Sequence, residues 1–74
     1  MPDRVGDRVE IGGQRELVEI LAMPEPAPRA RTGRIRHANG ENASVDHGTW
    51  IRLRQRAIEA DGPVDEPVGT LFRA

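Results

Sequence analysis

The chain has 74 residues, of which 31% are charged, and a formal net charge of −1. It contains no cysteine, which excludes disulfides, thiolate metal sites and a cysteine nucleophile. No apolar run approaches the ~18–20 residues of a membrane span, and the first residues lack the pattern of a signal peptide. We therefore expect a soluble cytoplasmic protein that forms one small domain over residues 1–74.

Charge is distributed unevenly along the chain. Residues 27–56 carry seven arginines against two acids and are net +5, whereas residues 1–26 and 57–74 are each net −3. This distribution predicts one cationic surface on an otherwise acidic protein, and surfaces of that kind attract anionic partners.

The first part of the chain predicts a hairpin. Residues 7–11 alternate polar and apolar side chains, as in a half-buried strand, and Gly12-Gly13 ends that strand in a turn. Residues 14–23 fit either a second strand or an amphipathic helix. We favour the strand because it follows a hairpin-like Gly-Gly, and because the helix lacks a cap and would be stopped by Pro24. As a strand, the segment turns inward Val18, Ile20 and Ala22, and leaves outside Leu17 and Leu21.

Alternate prolines hold the next segment extended, which predicts a loop over residues 24–33. Two short strands then flank Asn39-Gly40, the strongest hairpin signal in the chain. A two-residue turn would mix apolar and charged side chains on each face, whereas a three-residue loop of Ala38, Asn39 and Gly40 separates them. We predict the odd-length loop, with Gly40 in the left-handed conformation. The residues that this register turns inward are Ile35, Ala43 and Val45, and those it turns outward are Arg34, Arg36, Ser44 and Asp46.

Residues 49–56 alternate again, with Ile51 and Leu53 on one side and arginines on the other, which predicts a further strand. The alternative is a helix over residues 50–61, capped by Thr49 and stopped by a Gly-Pro pair. That helix would place an arginine, Arg54, inside its apolar arc, which favours the strand.

A second loop is predicted at residues 61–67, and residues 68–72 fit a last short strand. Five or six short strands separated by turn residues favour a mainly β fold, a small five- to six-stranded SH3-like barrel with at most one short helical segment. The alternative is an α+β fold with a helix at residues 14–23 or 50–61.

The arginine rows are the strongest functional signal. If Ile35, Ile51 and Leu53 turn inward, the period of two directs the neighbouring arginines to solvent, and they converge on one face if the strands share a sheet. Trp50 would then point outward as well, although a lone Trp is as often a core anchor. The arginines also suit a solvated face that keeps sheet edges from aggregating. The candidate binding residues are Arg34, Arg36, Arg52, Arg54 and Trp50.

The sequence gives little support for a metal site, a hydrolytic site or a phosphate-binding loop. His37, Asp46 and His47 come closest to a metal set, but the predicted register separates the two histidines by ~13–20 Å, too far for one zinc ion. Ser44 and His37 face opposite sides of the hairpin and form no hydrolytic pair. No glycine-rich phosphate loop is present. We expect no cofactor and no bound metal.

These observations predict a small non-catalytic binding or adaptor module whose arginine-lined face contacts an acidic protein partner, which includes the acidic flank of a second copy. One alternative is a nucleic-acid-binding small β-barrel, and another is a structural or assembly subunit. An enzyme subunit would have to borrow its nucleophile or metal from another chain. The acidic flanks favour a protein, because non-specific DNA binding normally accompanies a basic domain. No membrane partner is expected.

Overall fold

The computed structural model describes residues 2–60. Within these residues, the strands form one open antiparallel sheet in the order β1-β2-β3-β4, and a single helix follows the last strand. The predicted loop at residues 61–67 and the predicted strand at residues 68–72 lie outside the described residues. The elements are β1 (Arg8–Ile11), β2 (Glu16–Ala22), β3 (Gly33–Arg36), β4 (Asn42–Val45) and α1 (His47–Glu59).

The hydrophobic core lies between α1 and one face of the sheet, which we call the inner face. All four strands contribute side chains to this layer or to its margin, and α1 contributes its single tryptophan. The core cluster consists of Ile11, Val18, Ile20, Ile35, Val45 and Trp50.

Residues 16–22 form a strand, as the Gly-Gly turn before them indicated. Val18 and Ile20 are buried, and Leu17 on the other face is 49% exposed, so the predicted alternation is confirmed there. A β-bulge between Ile20 and Ala22 then shifts the register against β3. Because of this shift, Met23 rather than Ala22 packs against the core.

The β3–β4 hairpin has the predicted odd-length loop. Ile35 pairs with Ala43, so both occupy the inner face. The backbone N–H of His37 donates to the Glu41 carbonyl at 2.8 Å, and the N–H of Gly40 donates to the His37 carbonyl at 2.9 Å. Gly40 has φ +91°, the left-handed conformation that closes a three-residue loop.

The strand predicted at residues 49–56 is wrong, because this segment belongs to α1. The helix begins after Asp46, whose carboxylate accepts a hydrogen bond from the backbone N–H of Thr49 at 2.8 Å. The predicted cap was Thr49 itself, three residues too late. The helical alternative therefore describes the segment correctly in type, although it begins at His47 rather than at residue 50.

Arg54 does lie on the inner side of α1, among the core-facing positions Trp50, Leu53 and Ala57. Its guanidinium reaches the edge of the core, where Nε donates to the Asp3 carboxylate at 2.8 Å. The half-buried charge is thus neutralised while the stem packs along the helix. The residue that counted against a helix is accommodated by an acid 51 positions earlier.

With the segment after β4 helical, four strands remain in residues 2–60, and they form an open sheet rather than the predicted barrel. The helix covers the inner face that further strands would have enclosed. The architecture is mostly sheet with one helix, which agrees with the α+β alternative at residues 50–61 and not with the one at residues 14–23.

Candidate functional site

The outer face of the sheet, on the side away from α1, carries the candidate binding residues that remain on strands. Its side chains are exposed except for those of Glu19 and Ala22, which are half-buried. The strand register assigns them to this face because their positions alternate with those of the core residues. The outer face carries Arg8, Glu10, Leu17, Glu19, Arg34, Arg36, Asn42 and Ser44, and beyond the β-bulge also Ala22, which pairs with Arg34.

One cross-strand row of the outer face is partly neutralised. Glu19 lies opposite Arg8 on one side and opposite Arg36 on the other. The Arg36 Nη1 atom is 3.4 Å from the Glu19 Oε1 atom, and the two side chains are 48% and 37% exposed. An exposed pair of this kind contributes only ~0–1 kcal/mol, so Arg36 can exchange this carboxylate for another at little cost.

Arg34 is in a different position. It lies opposite Ser44, and no described residue forms an ion pair or a hydrogen bond with its guanidinium. The side chain is exposed. The half of the outer face formed by β3 and β4 therefore has two arginines, Arg34 and Arg36, beside the neutral Asn42 and Ser44.

A shallow groove of about 290 Å³ lies between β2 and the end of β3, at the outer face. Its lining includes the half-exposed apolar side chain of Leu17, together with Arg8, Glu19 and Arg36. An apolar side chain therefore lies among charges of both signs at this groove.

The other two candidate arginines do not join this face, so the predicted convergence of four guanidinium groups is wrong. Arg52 lies on the exposed side of α1, where its Nη2 donates to the Thr49 hydroxyl at 3.4 Å. Arg54 is half-buried against Asp3, and its Nη1 donates to the Glu10 backbone carbonyl at 2.7 Å. The helix separates them from β3 because successive residues of a helix point in different directions, whereas alternate residues of a strand share a face.

Trp50 is 3% exposed and belongs to the core cluster. The outward orientation predicted from the strand interpretation is therefore wrong, and the core-anchor interpretation describes it. With its indole enclosed between α1 and the sheet, Trp50 presents no face on which a ligand base would stack.

The outer face includes residues that were not among the predicted candidates, namely Arg8 and Leu17. The alternation of residues 7–11 and the strand interpretation of residues 14–23 already direct both of them outward. What the sequence lacked was the register of β2 against β3, which brings Arg8 and Arg36 to either side of Glu19.

The N-terminus of α1 is capped by the carboxylate of Asp46. The backbone hydrogen bond from Thr49, followed by the contact with the Thr49 side chain, holds the pKa of Asp46 below its ordinary value, and the charges of Arg52 and His47 act in the same direction. The ionised carboxylate is thereby favoured at the positive end of α1.

The histidines lie apart in the fold. The His37 Nδ1 atom contacts the Glu16 carboxylate, while His47 is the first residue of α1. Within residues 2–60, no group of three or more His, Asp or Glu side chains is arranged to hold a metal ion. In the same part of the chain, no helix has the length and apolar character needed to cross a membrane.

Comparison of the chain with protein-family models, with curated proteins and with solved structures found no match. The functional interpretation therefore depends on the geometry of the outer face. That face combines an exposed guanidinium with no partner among residues 2–60, a second guanidinium in a weak ion pair, and a groove beside an exposed leucine.

Proposed function

We propose that this protein is a small non-catalytic binding module that docks an acidic protein surface on the outer face of its sheet. The observation that carries the proposal is the exposed Arg34 guanidinium, which has no partner among residues 2–60 and lies two residues from Arg36. An arginine presents a planar fork of donors that binds a carboxylate through two parallel hydrogen bonds. Two such forks on adjacent outward positions of one strand suit a pair of carboxylates.

The proposal does not need a cavity. The groove beside Leu17 is shallow, and the outer face is an open surface of the kind that protein partners use. Leu17 supplies apolar area that a partner would bury, and the arginines supply orientation and association rate. No catalytic role is assigned, since the function rests on exposed side chains that position a partner rather than react with it.

A protein partner is favoured over nucleic acid by the charges around these arginines. Glu10 and Glu19 share the outer face with three arginines, which leaves it net +1, and a continuous phosphate backbone would be repelled by both acids. Trp50, the residue proposed to stack on a base, is buried. A protein surface has discrete carboxylates, which can be placed against Arg34 and Arg36 while avoiding Glu19.

The test compares two charge reversals of equal size at different places. Arg34→Glu changes the outer face, and Arg52→Glu makes the same change on the exposed side of α1. Wild-type protein and both variants serve as baits in the native lysate, and any retained protein is then purified and titrated calorimetrically. We expect Arg52→Glu to bind as the wild type does and Arg34→Glu to bind at least about tenfold more weakly.

Equal binding by the wild type and Arg34→Glu would refute this proposal. Nucleic acid as the partner would show itself by nuclease-sensitive capture. With three arginines on the face, log affinity would then fall with log salt at a slope of at most about −2.7. Circular dichroism and thermal unfolding of both variants confirm that any loss of binding is not a loss of fold.

A further inference from the structure

The two edges of the sheet differ in how their backbone groups are satisfied. At the β1 edge, the Gly12 N–H donates to the Leu53 carbonyl of α1 at 2.9 Å. At the same edge, Arg54 donates to the Glu10 carbonyl at 2.7 Å. Contacts from the helix therefore occupy one carbonyl of the β1 edge and the N–H just beyond it, where they obstruct an added strand.

The β4 edge is open in the described part of the chain. The hydrogen bond between His37 and Glu41 fixes the alternation of the antiparallel ladder, so that Ala43 directs its backbone groups towards β3. The groups that point away from the sheet belong to Asn42 and Ser44. Within residues 2–60, no backbone hydrogen bond outside the ladder reaches either residue.

Several devices that protect sheet edges are missing from β4. It contains no proline, lysine or bulge, and its outward side chains are short and uncharged. Its length of four residues limits an added strand to roughly four backbone hydrogen bonds through Asn42 and Ser44. An added strand therefore needs side-chain contacts as well, and the charges of the outer face determine which ones.

The arginines of β3 are placed to supply those contacts. Arg34 lies directly opposite Ser44 on the outer face. Arg36 lies opposite Asn42. A fifth strand would lie about 4.8 Å beyond β4 and about 9.6 Å from β3. Because Ser44 and Asn42 are short, each arginine can extend over β4 and meet an acidic side chain on the added strand.

We infer that the acidic partner binds as an extended segment that adds to β4 as a fifth strand, with acidic side chains at every second position. The inference rests on the proposed function, since the same arginines carry both. Backbone pairing with Asn42 and Ser44 gives affinity, and the alternate carboxylates beside Arg34 and Arg36 give specificity. Pairing of β4 with the β4 strand of a second copy is disfavoured. It would bring Arg34 and Arg36 of the two copies together, with only the uncharged Asn42 and Ser44 of each copy between them.

The probe is a capped hexapeptide of alternating valine and glutamate, titrated into the full chain and followed by backbone amide shifts and calorimetry. A peptide with the same composition, three valines followed by three glutamates, controls for charge alone. A third peptide is the alternating sequence with N-methyl groups on the amides of one edge, which removes its donors. We expect the alternating peptide to bind at least about tenfold more tightly than either control.

The matched variants are Ser44→Pro and Ser44→Ala. The proline removes an N–H that faces the open edge and leaves the β3–β4 bonds in place, whereas the alanine keeps that N–H. We expect Ser44→Ala to bind the alternating peptide normally and Ser44→Pro to lose about tenfold or more. Should Ser44→Pro fail to fold, the N-methylated peptide makes the same comparison on the unaltered protein.

The outcomes separate this inference from the proposed function. If Arg34→Glu weakens binding while Ser44→Pro and N-methylation leave it unchanged, strand addition is overturned and the acidic-partner proposal stands. If none of the three changes matters, both are overturned. Strand addition is also overturned if the alternating and the block peptide bind equally well, or if the wild type binds neither. It is overturned as well if light scattering shows that the mass of the protein doubles as its concentration rises.

Discussion

Gly33 allows β3 to reach its position against β2, and its replacement by alanine is a direct test of the fold around Arg34. A Cβ atom added at Gly33 would lie 2.5 Å from the Pro24 ring Cδ, 2.6 Å from the Pro24 nitrogen and 2.7 Å from the Ala22 carbonyl oxygen. These atoms belong to a ring and to the backbone, so no side-chain rotation relieves the contacts. Gly33→Ala must therefore displace the chain beyond the β-bulge or the start of β3.

Overpacking of a well-packed interior by one methyl group lowers the free energy of unfolding by ~1–3 kcal/mol. Three contacts below 3.0 Å with rigid groups place Gly33→Ala towards the upper end, at about 2–3 kcal/mol. A chain of this length has a total stability of about 4–11 kcal/mol. The substitution would therefore remove a large fraction of it.

Equilibrium unfolding in urea, followed by the fluorescence of Trp50, measures the change, because the single tryptophan is buried in the native state. Gly48→Ala is the matched control. The nearest atom to a Cβ at Gly48 is an Asp46 carboxylate oxygen at 3.8 Å, an ordinary contact within the first turn of α1. We expect that variant to gain roughly 0.4–1 kcal/mol. A Gly33→Ala protein as stable as the wild type would refute the placement of β3 against Pro24.

Three further predictions follow from the helix. Arg54→Met should lower the free energy of unfolding by about 1.5–3 kcal/mol in urea titrations, because it strips Asp3 of its partner, while Arg52→Met should change it by less than about 0.5 kcal/mol. Since the folded-state pKa of Asp46 is depressed, the stability it contributes is present above the ordinary value of 3.8 and is lost as the pH falls through the folded value. Unfolding measured over a pH series should show this loss in the wild type and a smaller one in Asp46→Asn, which keeps a capping side chain. Trp50 emission should be blue-shifted in the native protein and unchanged by added single-stranded DNA, and strong quenching by DNA would contradict its burial.

Both hairpins could be predicted because their determinants are local. Gly12-Gly13 and Asn39-Gly40 mark the turns, and the side-chain period of two assigns each strand its faces. The odd loop follows from the requirement that Ile35 share a face with Ala43 and Val45, and that requirement is purely geometric. Local turn chemistry and parity therefore sufficed for the four strands and for the register of the second hairpin.

The helix was missed because residues 49–56 carry two periods at once. Ile51 and Leu53 alternate with arginines, as in a strand, yet Trp50, Leu53 and Ala57 recur at helical spacing. Arg54 decided between the strand and the helix, because a charged residue within the apolar arc of a helix argues against that helix when only the local pattern is considered. Asp3, which removes the defect, is remote in sequence and enters only through tertiary structure.

The composition of the candidate site depended on the same kind of remote information. The outward direction of Arg34 and Arg36 could be derived from the second hairpin alone. That Arg8 lies across from Glu19, and Glu19 across from Arg36, depends on how the two hairpins pair. No glycine or proline marks the β-bulge between Ile20 and Ala22 in the sequence. The pairing of β2 with β3 beyond the bulge could therefore not be derived.

In the fold, acidic residues from the first part of the chain pair with arginines of the cationic segment. Three arginines of the cationic segment pair with acids at residues 1–26: Arg29 with Glu25, Arg36 with Glu19 and Arg54 with Asp3. Acids early in the chain thus neutralise much of the charge that the linear pattern assigned to one surface. A cation that escapes this neutralisation carries more information about function than the net charge of its segment does. Among residues 2–60, Arg34 has no acidic partner, and no described residue covers its sheet face or the neighbouring β4 edge. Reversal of its charge should therefore separate a binding surface from a solvated one.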